Sequence, residues 1–394
     1  MTAPNRRINA ETVDFDQLWR DPYPTFARLR ATNPVAFVPQ ADHYFITRFD
    51  DIAHIERHPA IFRASEPRSL VNRVMGHSFM RKDDEEHMVE RKIVAPSFSP
   101  AAAKKVWSDT FREIAADLLD DLQDRGSADL VADFATPMAA RSLCTVTGLT
   151  NIAWQDIARW SQALMDAVQN YARDPELARL GQEASDGIDA AIDAMIPVRR
   201  ANPDRSILSM MLAGDMPLDS IRANLKVIIG GGQNEPRDAN SGLIWALLSN
   251  PDQLSAVKAD PSLWLRGFEE YVRWVSPIGM YPRTVGQETE LAGVPLKPGD
   301  RLFLLVGSAN RDEAQFRDPD RFDLHREESR HLAFGSGPHF CAGAWVARAQ
   351  VADIAVPMLF ERLKNLELDD SGEPARCGGW AFRGLLTLPA RWSA

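Results

Sequence analysis

Phe334-Gly335-Ser336-Gly337-Pro338-His339-Phe340-Cys341-Ala342-Gly343 is the stretch on which the reading of this chain turns: glycine-rich, with one cysteine, and followed at once by a helical pattern. Glycine reaches backbone conformations closed to other residues and lets a flat ligand come close to the chain. Cys341 is predicted at the N-terminus of an apolar helix running from about Ala342 to Leu363, where the helix dipole and free N–H groups favour thiolate over thiol. A lone free cysteine is most often a buried structural residue. What this one does therefore depends on the rest of the chain.

Outward from that loop, the 394 residues hold only two other cysteines, Cys144 and Cys377, too few and too scattered for a disulfide framework. With 45% hydrophobic and 25% charged residues the composition is that of a globular protein, long enough to bury a core and a cofactor. The polar start Met1-Thr2-Ala3-Pro4-Asn5-Arg6-Arg7 and the lack of an apolar run near membrane-spanning length lead to the expectation of a cytoplasmic protein. A formal net charge of -10 argues against nucleic acid or anionic lipid as partners.

No linker-like stretch divides the chain, so one domain over 1–394 is expected. Val35-Ala36-Phe37-Val38 and Tyr44-Phe45-Ile46-Thr47 read as strands after a short helix around Pro24 to Ala31. From Ala101 to about Asn250 the spacing is helical, as in Phe111, Ile114, Ala115, Leu118, Leu119 and Leu122. The longest helix is predicted from Asp219, as N-cap, to Asn250. Beyond Pro282 the pattern becomes strand-rich, then gives the helix after Cys341 and a last strand at Leu385-Leu386-Thr387-Leu388.

The loop resembles the haem-binding segment of the cytochrome P-450 family, Phe-Gly-x-Gly-x-His-x-Cys-x-Gly, at all six specified positions. Other family elements follow in the expected order, so the resemblance covers essentially the whole chain. It implies a mainly α fold with small β-sheets (α+β), the family's triangular prism. The β-rich lobe would lie at about 33–60 and 280–325 plus the C-terminal strands, and the helical lobe at about 80–275 and 341–365. It also implies a haem-thiolate monooxygenase with haem b as cofactor, Cys341 as iron ligand and Phe334 in the haem loop; a thiolate ligand promotes O–O cleavage. His87 and Arg91, four apart on one helical face, match the family's contact to haem propionates, and Arg283 and His339 resemble the remaining propionate partners. Glu270 and Arg273 match the family's Glu-x-x-Arg helix, a buried network to be closed by Arg321.

One segment departs from the family. The long central helix usually carries an acid followed by threonine; here Gly230-Gly231-Gly232-Gln233-Asn234-Glu235-Pro236 puts Asn234 at the acid and Glu235 at the threonine position. Shifted by one, Glu235 becomes the acid and Pro236 the threonine substitute. Pro236 has no N–H, so a bulge or kink is expected there. A carboxylate at this place can act as acid and base in turn on the two oxygens of a peroxide, which makes Glu235, with Asn234 beside it, the candidate catalytic pair and peroxygenase activity an expectation.

The Glu-Pro pair and Gly378-Gly379-Trp380-Ala381-Phe382-Arg383-Gly384 resemble bacterial members that O-demethylate methoxyphenols. Ile278, Met280, Tyr281, Trp380 and Phe382 fall at substrate-facing family positions, and aromatic walls suit a flat ring. Hydroxylation of a terpenoid or other small apolar molecule is the alternative substrate reading. A haem protein that binds or senses a gas, or an electron carrier, are alternatives from other classes. Electrons would come from a ferredoxin and its reductase or an equivalent, with dioxygen or hydrogen peroxide as oxidant. Arg91, Lys92, Lys104, Lys105 and Arg112 form a basic group suited to an acidic donor.

Overall fold

The structure is a computed structural model that describes residues 9–66, 68–170, 172–327 and 330–393. The polar start Met1–Arg7 lies outside the described residues. The chain forms two compact units, one of residues 1–66, 269–341 and 377–384, the other of 67–268, 342–376 and 385–394.

The first unit is built on a five-stranded sheet ordered Val35–Val38, His43–Ile46, Arg301–Leu304, Tyr281–Val285 and Phe62–Arg63. Val35–Val38 reads as an unbroken apolar run because both faces are buried. Val35 and Phe37 join Tyr44, Ile46, Leu302 and Leu304 in one cluster. Ala36 and Val38 join Phe45, Phe303 and Leu305 in the other. The two-residue period of the strand thus feeds two cores, and a one-residue slip would exchange them.

Glu270 and Arg273 lie on the helix Leu263–Val275 and make a buried bidentate pair, 2.7 Å from Nε to Oε2 and 2.8 Å from Nη2 to Oε1. The guanidinium that closes the network is that of Arg326, whose Nε donates to both Glu270 oxygens at 3.1 and 3.2 Å. This corrects the assignment of Arg321, which is exposed and contributes only its backbone carbonyl, accepting from Arg273 and Arg326 at 3.1 and 3.0 Å. Arg273 Nη1 also donates to the Asn310 carbonyl at 2.8 Å, and Asn310 Oδ1 accepts the Leu332 N–H at 2.7 Å. The ion network therefore reaches the start of the cysteine loop through one asparagine.

The second unit is helical, with a three-stranded sheet of Ser127–Asp129, Pro389–Ser393 and Lys364–Leu368. Its longest helix is Leu218–Leu248, 31 residues, or about 46 Å. It is buried along much of its length, with Ile221, Leu225, Ile229, Leu243, Ile244 and Leu247 all 2% exposed or less. Pro217, not Asp219, is its N-cap; Asp219 lies in the first turn, where a carboxylate still complements the dipole. The expected bulge at Pro236 is absent, for the residues on either side stay in one α-helix. The π turns fall elsewhere, at Ala103–Trp107, Val131–Ala135 and Val351–Ala355. The last of these interrupts the helix after the cysteine, which begins at Ala344 rather than Ala342.

Arg326→Met leaves Glu270 with one guanidinium in a buried setting, and removing one partner of such a network costs about 3 kcal/mol. Urea unfolding followed by circular dichroism is expected to show that loss, while Arg321→Ala changes stability by no more than about 0.5 kcal/mol.

Candidate functional site

The cysteine loop is held by its own backbone. Cys341 N–H donates to the Phe334 carbonyl and Gly335 N–H to that of Leu332, both at 2.8 Å, and Phe340 N–H reaches Gly337 at 3.2 Å. Gly335 and Gly337 both have φ +66°, and a Cβ on Gly337 would stand 2.5 Å from the Glu56 carbonyl. Only glycine fits there. Gly337–His339 forms a short 3-10 turn. The result presents Cys341 exposed, with the Phe340 ring 37% exposed beside it and Phe334 half-buried behind, its ring 6.4 Å from that of Phe340.

Cys341 precedes the helix at Ala344 by three residues, with Gly343 as N-cap. It is therefore displaced from the first turn, which weakens the dipole argument made from sequence. The other cysteines differ in setting. Cys144 is buried, which pushes its thiol up to about 11, and its Sγ lies 3.9 Å from the Ile152 carbonyl. Cys377 is half-buried in a short strand. Among the described residues no three His, Cys, Asp or Glu side chains gather around a metal position. A metal held by Cys341 would bring its other ligands with it, as iron in a porphyrin does, and an exposed soft thiol beside an exposed phenyl ring fits such a flat apolar group.

Arg283 is 9% exposed; its Nη1 donates to the Pro282 carbonyl at 2.9 Å, and its Nη2 lies 3.7 Å from Glu56 Oε1. His339 is half-buried in the 3-10 turn. In the helical unit His87 is 2% exposed, and Arg91, one turn on in the helix Asp84–Phe98, sets its guanidinium 5.8 Å from the Phe79 ring.

The expected aromatic wall does not form as one surface. Trp380, half-buried like Phe382, packs against the core, its ring 5.6 Å from Phe45, 5.8 Å from Phe15 and 6.1 Å from Phe303. Met280 is buried in the same cluster. Tyr281 packs on the opposite cluster, where a Cβ on Gly335 would stand 3.6 Å from its hydroxyl. Burial, with the charge of Glu56 adding to it, pushes this phenol well above its usual value. Ile278 and Phe382 remain half-buried and bridge each other antiparallel. Gly279 makes that approach possible, since a Cβ there would stand 2.0 Å from the Trp380 carbonyl.

In the long helix the three glycines have different surroundings. A Cβ on Gly230 would press on Met165 and Met75 at 3.1 and 3.2 Å, and one on Gly232 would strike Leu143 at 2.7 Å. One on Gly231 would meet a single atom, Glu235 Oε2 at 3.5 Å. Gly231 and Glu235, one turn apart, thus border open space. Both Glu235 oxygens are buried without a hydrogen-bond donor. Burial is the main reason its carboxyl is raised from 4.5 to about 8; its own backbone N–H and the charge of Arg237 oppose the rise and Asp238 adds to it. Arg237 is engaged elsewhere, donating from Nε to Asp238 at 2.8 Å. Asn234 is not available for proton transfer: its Nδ2 donates to Ser161 Oγ at 2.9 Å and to the Gly230 carbonyl at 3.0 Å. Ser161 Oγ in turn donates to the Ile229 carbonyl at 3.0 Å. Asn234 Nδ2 therefore ties the helix to Ser161, while both Glu235 oxygens have no side-chain partner.

Sequence reading missed Arg326, Asn310, Ser161 and Glu56. Arg326 had a signal, a second arginine five residues past Arg321, but the other three become visible only through contacts distant in the chain.

Comparisons with known proteins bear on these observations. A family profile described as Cytochrome P450 matches residues 267–378, which contain the Glu-x-x-Arg helix and the cysteine loop. Pulcherriminic acid synthase of Bacillus subtilis (strain 168) is 31% identical over 98% of each chain. Methyl-branched lipid omega-hydroxylase of Mycobacterium tuberculosis is 30% identical over 93% of this chain and 90% of that one. The crystal structure of P450BioI in complex with an acyl carrier protein ligated to hexadec-9Z-enoic acid superposes with a TM-score of 0.88 at 25% identity, covering 96% of this chain and all of that one.

The carboxyl of Glu235 gives the protein a pH signature. Because folding raises its value from 4.5 to about 8, the fold favours the protonated form. Stability relative to Glu235→Gln is full below about pH 4.5 and is lost as pH rises to about 8, by up to about tenfold in the folding equilibrium per pH unit, then levels off. Paired urea titrations across that range measure it.

Proposed function

Because the chain belongs to the cytochrome P450 family and is a haem b monooxygenase, we propose that Glu235 is its proton-carrying residue and that it accepts hydrogen peroxide as well as dioxygen. Bound haem supplies activation of the oxidant and transfer of one oxygen atom. Cys341 supplies the thiolate ligand, and His87, Arg91, Arg283 and His339 supply donors for the haem carboxylates. The observation that carries the proposal is a buried carboxyl, without a hydrogen-bond donor, facing the open space at Gly231. Such a group can give up a proton near neutral pH and take one back, because its value of about 8 lies close to that pH.

For the substrate we favour a methoxylated aromatic. Hydroxylation of its methyl group gives a hemiacetal, which collapses with cleavage of the methyl C–O bond to a phenol and formaldehyde. With peroxide the second oxygen leaves as water and no outside electrons are needed; with dioxygen, two electrons and two protons are. The half-buried pair Ile278 and Phe382 and the segment Gly378–Gly384 support this reading. Hydroxylation of a terpenoid or other small apolar molecule is the second reading, favoured by the withdrawal of Met280 into the core. Relatives named as a hydroxylase and a synthase set aside the non-catalytic gas-binding alternative.

A ferredoxin is the proposed electron donor for the dioxygen route. Lys92, Lys104, Lys105 and Arg112 are exposed, and of these Arg112 is already paired with Asp109 at 3.0 Å. Burial holds the Asp353 carboxyl above its usual value, against the opposing charges of Lys104 and Arg112, which lie near it. Lys105 and Lys92 are thus the least compensated cations of the group.

Titration of the ferric protein with methoxylated aromatics beside terpenoids is expected to give a saturable shift of the haem band with one aromatic, and formaldehyde on turnover. Response to terpenoids alone selects the second reading. With the bound substrate and peroxide, Glu235→Gln should lose about 100-fold or more in turnover; unchanged turnover would remove Glu235 from the reaction. Lys105→Glu should slow ferredoxin-driven turnover in a salt-dependent way and leave the peroxide-driven rate as it was.

A further inference from the structure

Glu56 ends no motif and matches no family element, yet it is buried against the cysteine loop. It lies near the end of the helix Phe49–Arg57, with its side chain 1% exposed. Oε2 accepts the Ser336 hydroxyl at 2.9 Å, five residues before Cys341. Oε1 has no hydrogen-bond donor and lies 3.7 Å from Arg283 Nη2. A Cβ on Gly335 would stand 3.2 Å from that same oxygen. Burying a carboxylate costs several kcal/mol unless partners offset it. Its neighbours Ile52 and Ile55 show that apolar side chains fill this helix face without that cost. One hydrogen bond, one long ion pair and the neighbouring Tyr281 hydroxyl compensate Glu56 only in part.

We propose that Glu56 is a positioning residue that joins the Cys341 loop to Arg283 and, through its charge, lowers the reduction potential of the haem. The proposal rests on the reading of Cys341 as the iron ligand. A buried negative charge beside the loop disfavours gain of an electron by the cofactor, and in a low-dielectric setting that effect is not screened away. Glu56 also offsets the charge of Arg283, which acts in the same direction. Its hydrogen bond to Ser336 keeps the loop registered against the helix, a role separable from its charge.

The test uses the haem-loaded protein, with the thiolate signature of the ferrous carbon monoxide complex recorded before potentiometry. A parent protein without that signature overturns the Cys341 reading, and this proposal with it, before any variant is made. With the signature present, Glu56→Gln is expected to retain it and to shift the midpoint potential to a more positive value. Ser336→Ala, which keeps the charge and loses the hydrogen bond, should stay close to the parent. An unshifted Glu56→Gln, or a Ser336→Ala shift of equal size, overturns the charge role while leaving the ligand reading intact. Should Glu56→Gln fail to hold haem, Glu56→Asp, which keeps the charge, must hold haem at close to the parent potential; loss of haem there too, or a shift to a more positive value, overturns the proposal.

Discussion

Two guanidinium groups and one backbone N–H meet at the Glu270 carboxylate, and the geometry of the cysteine loop depends on that meeting. Arg273 and Arg326 both bind the Glu270 carboxylate, and the Asp323 N–H donates to it at 2.9 Å. The remaining guanidinium donors go to carbonyls of the segment 310–321, at Asn310, Arg317, Asp318, Pro319 and Arg321. A segment without regular secondary structure is thereby fixed by charge-assisted hydrogen bonds instead of a ladder. Asn310 passes this order to Leu332, from which the loop to Cys341 departs. A network this well satisfied tolerates burial because nearly every donor has an acceptor; the same charges half-paired would be destabilising.

In the helical unit, glycine and carboxylate replace the usual polar pair at the middle of the long helix. Gly230 and Gly232 are required by packing, since Met165, Met75 and Leu143 occupy the space a side chain would take. Gly231 instead leaves room, and Glu235 faces it. Asn234 is held by Ser161, so the chain separates the two tasks of neighbouring residues: one amide fixes the helix and one carboxyl stays free to change protonation. Pro236 removes one N–H without breaking the helix, and Asn240 Nδ2 donates to the Pro236 carbonyl one turn later at 2.9 Å.

Two buried carboxyls, Glu235 and Glu56, illustrate opposite uses of incomplete compensation. Glu235 has no side chain donating to it, and burial moves its protonation toward neutral pH. Glu56 keeps the Ser336 hydroxyl and the Arg283 guanidinium near it. The difference lies in their surroundings and not in the residue type.

Local sequence determined a good deal. The apolar run Val35–Val38, the helical spacing through Leu122 and the loop ending in Cys341 carry their own structure, because period and glycine placement act over a few residues. The family, and with it haem, was legible in the order of short motifs. Only the tertiary structure decided that Arg326 closes the network, that Met280 belongs to the core with Trp380 packed against it, and that Tyr281 turns toward Gly335. Each of these depends on which of two faces a side chain takes, and that is set by partners far away in the chain. The pairing of Glu56 with Ser336, 280 residues apart, has no trace in either local segment, for a hydrogen bond between distant side chains leaves no period to read.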